Sequence, residues 1–357
     1  MEVNGDVKPL QRWGGSLPVE NVQALAASKE LTEIPQRYIR SDVVSDLHGT
    51  VDDEIPIVDL GRLQDLASFE AEATKLKFAC EEWGFFQLIN HGVANELVEQ
   101  MKADIEEFYR LPLEEKKAYA QLPGSIEGYG HAFVVSEEQT LDWGDMFIIR
   151  TQPLSFRSMR FWPTHPSTFR DTLDKYSTAL KNVAELLLGS MAKNLGLSPE
   201  EFTNLFGNGF QAVNMNYYPR CPHADKVLGL SPHSDSVALT LVLQVNQVEG
   251  LQIKRNAGWL PIKPIPGAFI VNVGDALEVL TNGRYKSIEH RVIVNPEKER
   301  MSIGAFHSPN CDALIGPLPK LVEGSECYKT LSHESYMRLN ASAKLDGKNR
   351  LAQMKLK

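Results

Sequence analysis

The chain has 357 residues, 43% hydrophobic and 23% charged, which suits a globular protein with one large core or two ordinary ones. Its 46 acidic residues outnumber 37 basic ones, for a formal charge of −9, and that balance argues against a nucleic-acid partner. No stretch approaches the ~18 apolar residues a bilayer span requires, so no membrane partner is expected either.

The opening MEVNGDVKPLQRWGG lacks a basic start followed by an apolar run, so no secretory leader is expected. Cys80, Cys221, Cys311 and Cys327 are scattered, and reduced thiols in a cytoplasmic protein are the economical reading. In SLPVENVQALAASK, Pro18 suits the first turn of a short helix, and IPQRYIR reads as extended. Residues 1–54 are accordingly an N-terminal extension.

From Ile55 the pattern firms. IPIVDL reads as a strand, and SFEAEATKLKFACEEWG as a helix capped by Ser68, with Ala73, Leu76, Cys80 and Trp83 inward and Gly84 at its exit. FFQLIN is a strand that closes at NHG, where His91 is read as part of a structural turn. Leu97, Met101, Ile105 and Phe108 then share one helical face ending before Pro112. Phe169, Leu173, Tyr176, Leu180, Val183, Leu187 and Met191 predict a long scaffold helix within residues 168–197, followed by a capping box, Ser198 with Glu201. Residues 55–205 form this helix-rich region.

Beyond it the texture changes to short strands: QAVNMNYYP, ALTLVLQ, GLQIK, GAFIVNV, YKSIEHRVIV and RMSIGAF, with Asn282-Gly283 as a hairpin signal. The expected fold class is mixed α and β, a jelly-roll core over residues 206–310 with helices around it and a C-terminal segment, residues 311–357.

The segment LSPHSDSVALTLVLQ reads as one strand, with His233 and Asp235 on the same face as Leu239, Leu241 and Leu243. A carboxylate on a drying face needs an ion pair, a hydrogen-bonded dyad or a metal. His290, in YKSIEHRVIV, supplies a third polar group. Two imidazoles and one carboxylate suit Fe(II) as a facial triad with open positions. Zinc is the rival, although its helical His-Glu-x-x-His signature is absent; satisfied histidines and a surface His–Asp pair are the structural alternatives.

In ERMSIGAF, Arg300 and Ser302 share a face, and a hairpin through NPEKE would set that strand beside the one bearing His290. A guanidinium fork and a hydroxyl suit a buried carboxylate, the alternative being an ion pair with Glu299. A ligand that chelates iron at one end and presents a carboxylate at the other is 2-oxoglutarate. Asn216 and Tyr218, on one face of NMNYYPRCP, are placed to hydrogen-bond its iron-proximal carboxylate, with strand packing as the alternative.

With these stretches in view, the chain from roughly residue 30 onward resembles the plant 2-oxoglutarate- and Fe(II)-dependent dioxygenases. That group contains anthocyanidin and flavonol synthases, gibberellin oxidases, hyoscyamine hydroxylase and the morphinan O-demethylases. The resemblance rests on IPIVDL, ACEEWGFFQLINHG, NYYPRCP, PHSD, NVGDALEVLTNGRYKSIEHRV and ERMSIGAF. It implies a double-stranded β-helix, iron on His233, Asp235 and His290, and the distal carboxylate of 2-oxoglutarate on Arg300 and Ser302, with Asn216 and Tyr218 assisting. Fe(II), 2-oxoglutarate and O2 would be the cofactors, ascorbate the reductant, a small molecule the partner, and the protein a monomer.

Phe306 matches an aromatic that stacks on substrate in flavonoid-acting relatives, while Asn214 stands where some of those enzymes carry lysine. Residues 128–147 resemble a pocket-lining stretch of the demethylase and lateral-branching-oxidoreductase branch, so Tyr129, Phe133 and Trp143 would border substrate, with loop or core roles as the alternative. The implied activity is hydroxylation of a small, largely aromatic plant metabolite (phenylpropanoid or flavonoid, indolic or alkaloid) with release of succinate and CO2. O-demethylation and desaturation are near alternatives. An ascorbate-dependent aminocyclopropane-carboxylate oxidase and a non-catalytic small-molecule-binding jelly roll are further ones.

Overall fold

The structure, a computed structural model, describes residues 16–28, 33–40, 43, 54–256, 258–341 and 344–356. The reading of MEVNGDVKPLQRWGG lies outside the described residues.

The strands are β1 (Ile57–Asp59), β2 (Phe85–Ile89), β3 (Gly128–Gly130), β4 (Asp145–Gln152), β5 (Gln211–Tyr218) and β6 (Leu228–His233). They continue as β7 (Leu239–Gln244), β8 (Leu251–Arg255), β9 (Gly258–Pro261), β10 (Phe269–Val273), β11 (His290–Ile293) and β12 (Arg300–His307). An eight-stranded sheet runs β1-β2-β10-β7-β12-β5-β4-β3, and a four-stranded sheet runs β6-β11-β8-β9. All pairs are antiparallel except β1 with β2. The two sheets face each other as a jelly roll, with Tyr218 and Ile270 from one meeting Leu251, Ile253 and Val292 from the other.

Helices cover the far side of the large sheet. Of α1 (Val22–Ala27), α2 (Leu60–Gln64), α3 (Phe69–Phe78), α4 (Asn95–Arg110), α5 (Leu113–Lys117) and α6 (Phe169–Asn194), the last is the spine. All seven of its expected inward residues, Phe169 through Met191, are buried against Val213, Met215, Leu241 and Ile303. Burial of one such stripe against a sheet is what stabilises a long amphipathic helix. Next comes α7 (Pro199–Phe206), where the Glu201 carboxylate accepts from the Ser198 backbone amide at 2.8 Å, one half of the expected capping box. Then α8 (Asp275–Leu280), α9 (His333–Ala341) and α10 (Asn349–Ala352) follow.

Several expectations need correction. The first helix starts at Val22 rather than near Pro18, because Asn21 caps the Ala24 amide and Asp145 accepts from the Val22 and Gln23 amides. Within IPQRYIR, Gln36–Tyr38 is a single tight helical turn rather than extended chain. Asn282 and Gly283 do have positive φ, 52° and 83°, but they end α8 instead of joining two paired strands. Likewise β11 and β12 form no hairpin, since they belong to opposite sheets. Of these twelve strands, β3, β4 and β9 have no counterpart in the sequence reading, and neither does a small two-stranded sheet of Leu314–Ile315 and Leu331–Ser332. The most important, β4, is almost continuously buried and lacks the alternation that marks a half-exposed strand.

Candidate metal centre

The expected single strand through His233 and Asp235 is in fact two. β6 ends at His233, Asp235 lies in the following loop, and β7 joins the other sheet. The pair therefore sits where the chain crosses from one layer of the jelly roll to the other. His290, first residue of β11, is the cross-strand partner of His233. Among the described residues, His233, Asp235 and His290 form one group whose ligand atoms lie within 4.8 Å of one another. Asp235 Oδ1 is 3.5 Å from His233 Nε2 and 3.7 Å from His290 Nε2.

Each ligand is oriented from behind. His233 Nδ1 meets the Ser231 carbonyl at 2.8 Å and His290 Nδ1 the Ile288 carbonyl at 3.1 Å, so each Nδ1 carries the proton and each Nε2 lone pair faces inward. Asp235 Oδ2 accepts from Thr240 Oγ1 at 2.6 Å and Asn272 Nδ2 at 2.8 Å, which leaves Oδ1 directed at the imidazoles. The Asp275 amide holds the Asp235 carbonyl at 2.7 Å. A Cβ on Gly274 would lie 2.1 Å from the Val237 carbonyl oxygen, so this close approach admits only glycine.

Burial opposes the charge on Asp235, but His290 and His233 beside it and the Thr240 hydroxyl hold its carboxyl well below the usual range. Burial, and then His233, push His290 down to about 4. One carboxylate and a second group poised as a neutral imidazole make a donor set for a divalent cation. With just three protein donors, positions remain open for exogenous ligands, which fits Fe(II).

Arg300 and Ser302 lie on the inner face of β12, opposite Tyr218 and Asn216 of β5. Arg300 is 2% exposed, and among the described residues no carboxylate lies within ion-pair distance of it. Its Nη2 donates to Gln244 Oε1 at 2.9 Å and its Nη1 to Ser302 Oγ at 3.3 Å, while its Nε has no partner. Burial lowers its pKa, an effect Tyr218 counters. The guanidinium thus carries a buried, uncompensated charge, which an anionic ligand would neutralise. The expected alternative, pairing with Glu299, does not occur; the Glu299 carboxylate accepts from the Tyr217 hydroxyl instead. Arg300 reaches across to the opposite sheet, since its Cδ and the Ile293 carbonyl both crowd Gly250.

The remaining residues divide. Phe306 lies against Gly304 on the inner face of β12, and Asn214 is half-buried opposite Gly304. Phe133 is half-buried, with the Arg350 guanidinium 5.3 Å from its ring. Tyr129 is a correction. It packs with Phe108 and Phe147 in the core behind the large sheet, and its hydroxyl accepts from Asn21 Nδ2 at 2.7 Å. Trp143 is another, buried edge-on to Tyr38 in a cluster with Val22 and Val227. His91 is the structural turn it was read as, bonded to the Gly267 carbonyl at 2.9 Å.

Sequence reasoning missed Thr240, Asn272 and Gln244. The signal existed for the first two: an isolated polar residue inside ALTLVLQ and FIVNV must find a buried partner. It also missed an apolar wall of Met146, Ile148 and Ala212, with Ala132, Phe210 and Leu230 packed on it.

A jelly roll that sets two histidines of one sheet beside an aspartate in the crossing loop carries the ligand set of a non-haem metal site. A family model for the 2OG-Fe(II) oxygenase superfamily matches residues 209–309, and one for the N-terminal region of non-haem dioxygenases in morphine synthesis matches residues 55–165. The chain is 53% identical to S-norcoclaurine synthase 1 of Coptis japonica, over 98% of this chain and 99% of that one. It is 46% identical to oxoglutarate-dependent flavonoid 7-O-demethylase 1 of Ocimum basilicum, over 98% and 95% of the two. A crystal structure of JOX2 in complex with 2OG, Fe and JA superposes with a TM-score of 0.87 at 37% identity, covering 96% of this chain and 99% of that one. The protein belongs to the 2OG-Fe(II) oxygenase superfamily and is an Fe(II)/2-oxoglutarate-dependent dioxygenase. Among the described residues, no helix is long and apolar enough to cross a membrane.

Proposed function

We propose that the protein hydroxylates a small, largely aromatic plant metabolite. The observation that carries this reading is the apolar wall of Met146, Ile148, Ala212 and Leu230 on the inner face of the sandwich, with Leu230 on the strand that ends at His233. Phe306 adds an aromatic ring to the same interior. Arg150, next along β4, is paired with Glu127 at 3.4 Å, so the wall offers contact area rather than charge. A flat, weakly charged molecule suits it, with Asn214 and Asn216 as neutral hydrogen-bonding groups.

His233, Asp235 and His290 would hold the iron. Arg300 and Ser302 would hold the far carboxylate of 2-oxoglutarate, with Asn216 and Tyr218 nearby. Bound iron with 2-oxoglutarate and O2 supplies an oxidant able to take hydrogen from an unactivated C–H bond, with succinate and CO2 released. The chain's own part is to seat the co-substrate through Arg300, keep Asp235 Oδ1 aimed inward through Thr240 and Asn272, and exclude water with the apolar wall. The fully buried Cys80 and Cys221, both unpaired, support placing the protein in the reducing cytoplasm.

O-demethylation is a second reading, favoured by the 46% identity to a protein named as a flavonoid demethylase. Hydroxylation of a methyl carbon attached to oxygen gives a product that collapses to the free hydroxyl compound and formaldehyde. Incubating the protein with Fe(II), 2-oxoglutarate, ascorbate and plant extract, followed by mass spectrometry, tests both. Gain of one oxygen supports hydroxylation, and loss of one methylene supports demethylation. Succinate release that no extract fraction stimulates, or turnover that needs ascorbate but not 2-oxoglutarate, would count against both; His233→Ala is the control.

A further inference from the structure

His233 stands at the end of β6, the outer strand of the four-stranded sheet. Apart from a single bridge between His233 and Gly347, the ladder partner of β6 among the described residues is β11, and that pairing shifts register on both sides of Val292. A ligand on an irregular edge strand is not held from both sides as one in a central strand would be.

The outer edge of β6 is covered by parts of the chain far away in sequence. The Arg40 amide donates to the Lys226 carbonyl at 2.8 Å, and the Trp143 amide to the Leu228 carbonyl at 2.7 Å. Tyr38, Leu141, Trp143 and Val227 fill the space between. Within this cover Arg40 Nη2 donates to Ser231 Oγ at 2.6 Å and to Asp142 Oδ1 at 2.9 Å. The Ser231 hydroxyl donates to the same Asp142 oxygen at 2.5 Å, closing a ring of three side chains. The Arg40 and Asp142 side chains are only 12% and 19% exposed, so these charge-assisted bonds are little screened. Ser231 is also the residue whose carbonyl receives His233 Nδ1.

We propose that Arg40 is a positioning residue of the metal centre. It acts on His233 through Ser231, so the N-terminal strap is part of the apparatus that binds iron. The ring fixes where Ser231 sits on an otherwise loosely held edge. Its carbonyl then sets the tautomer and the plane of the imidazole. Loss of such a supporting group typically lowers metal affinity by about 10- to 100-fold.

Co(II) titration of the full-length protein, followed by visible d–d absorption, tests the idea without turnover. Arg40→Ala and Ser231→Ala should each weaken Co(II) binding by about 10- to 100-fold and alter the band. The double variant should lose little more than the worse single one, because both break the same ring. Affinity for 2-oxoglutarate at saturating Co(II) should stay at the wild-type value. Should Arg40→Ala not accumulate as folded protein by circular dichroism, Ser231→Ala, which removes the hydroxyl that both Arg40 and Asp142 bond with little change of shape, carries the test by itself. A folded variant with wild-type Co(II) affinity and band would overturn the proposal. So would equal losses of Co(II) and 2-oxoglutarate affinity, which would mark a general loosening of the site.

Discussion

Asn272 on β10 and Asp235 in the β6–β7 loop are joined by a 2.8 Å hydrogen bond that ties an iron ligand to the central strands of the large sheet. With Thr240 donating to the same oxygen, one half of the carboxylate is committed to the scaffold and the other half to the metal. Replacing either donor leaves Asp235 Oδ2 held by a single hydrogen bond. Asn272→Ala and Thr240→Val should each weaken Co(II) or Fe(II) binding by about tenfold, measured by equilibrium titration. His233→Ala should abolish metal-dependent succinate formation.

On the proposed reading, Arg300 serves the co-substrate rather than the metal. Losing the fork that a buried charge offers a carboxylate costs about 1.5–3 kcal/mol, so Arg300→Lys should raise the 2-oxoglutarate dissociation constant about 10- to 100-fold. Calorimetry on the Mn(II)-loaded protein checks this, with metal affinity expected at the wild-type value. Gln244 presents Oε1 to Arg300 because its amide nitrogen donates to the Asn246 and Val248 carbonyls. Gln244→Glu should therefore impair 2-oxoglutarate binding more than Gln244→Ala, by setting a competing anion beside the guanidinium.

Phe306 lies on the inner face of β12, six residues along the strand from Arg300. Phe306→Ala should raise the substrate KM and increase succinate release uncoupled from product, while 2-oxoglutarate affinity holds. A ratio of succinate to product that stays at unity would remove Phe306 from the substrate site.

Burial pushes His307 from an ordinary 6.5 down to about 4, and its Nε2 sits 2.9 Å from the Gln211 amide nitrogen, which fits a neutral acceptor. The unfolded chain binds a proton near pH 6.5 and the folded one only near pH 4, so protons favour unfolding in between. The contribution of His307 is fully present above pH 6.5 and falls away as pH drops toward 4. His131, also buried and lowered to about 4, acts in the same sense. Unfolding free energies from urea titrations at about pH 7 and about pH 5 should differ less in His307→Gln than in wild type, by on the order of 2 kcal/mol.

Gly274 admits no side chain. A Cβ there would meet the Val237 carbonyl oxygen at 2.1 Å and the Asp235 carbonyl oxygen at 2.9 Å, both backbone atoms that cannot swing aside. Gly274→Ala should cost about 1–3 kcal/mol and displace the Asp235 loop. A lowered Tm together with weakened Co(II) binding is the expected result.

The amino-acid order alone determined the chemistry and much of the frame. Seven inward residues from Phe169 to Met191 predicted the spine helix because helical periodicity survives whatever it packs against. His233, Asp235, His290 and Arg300 were readable because histidines, a carboxylate and an arginine in strand contexts demand compensation. What tertiary structure alone decided is which strands are neighbours. A period of two tells which residues share a face, but both layers of a sandwich have equally apolar inner faces, so hairpins between β10 and β11 or β11 and β12 looked as good as the true crossings. The resemblance of residues 128–147 to a pocket-lining stretch points Tyr129 and Trp143 toward the substrate, but each fills a core cluster instead. The ambiguity between layers also hid the ring of Arg40, Asp142 and Ser231, which exists only because folding brings an N-terminal strap to the open edge of β6.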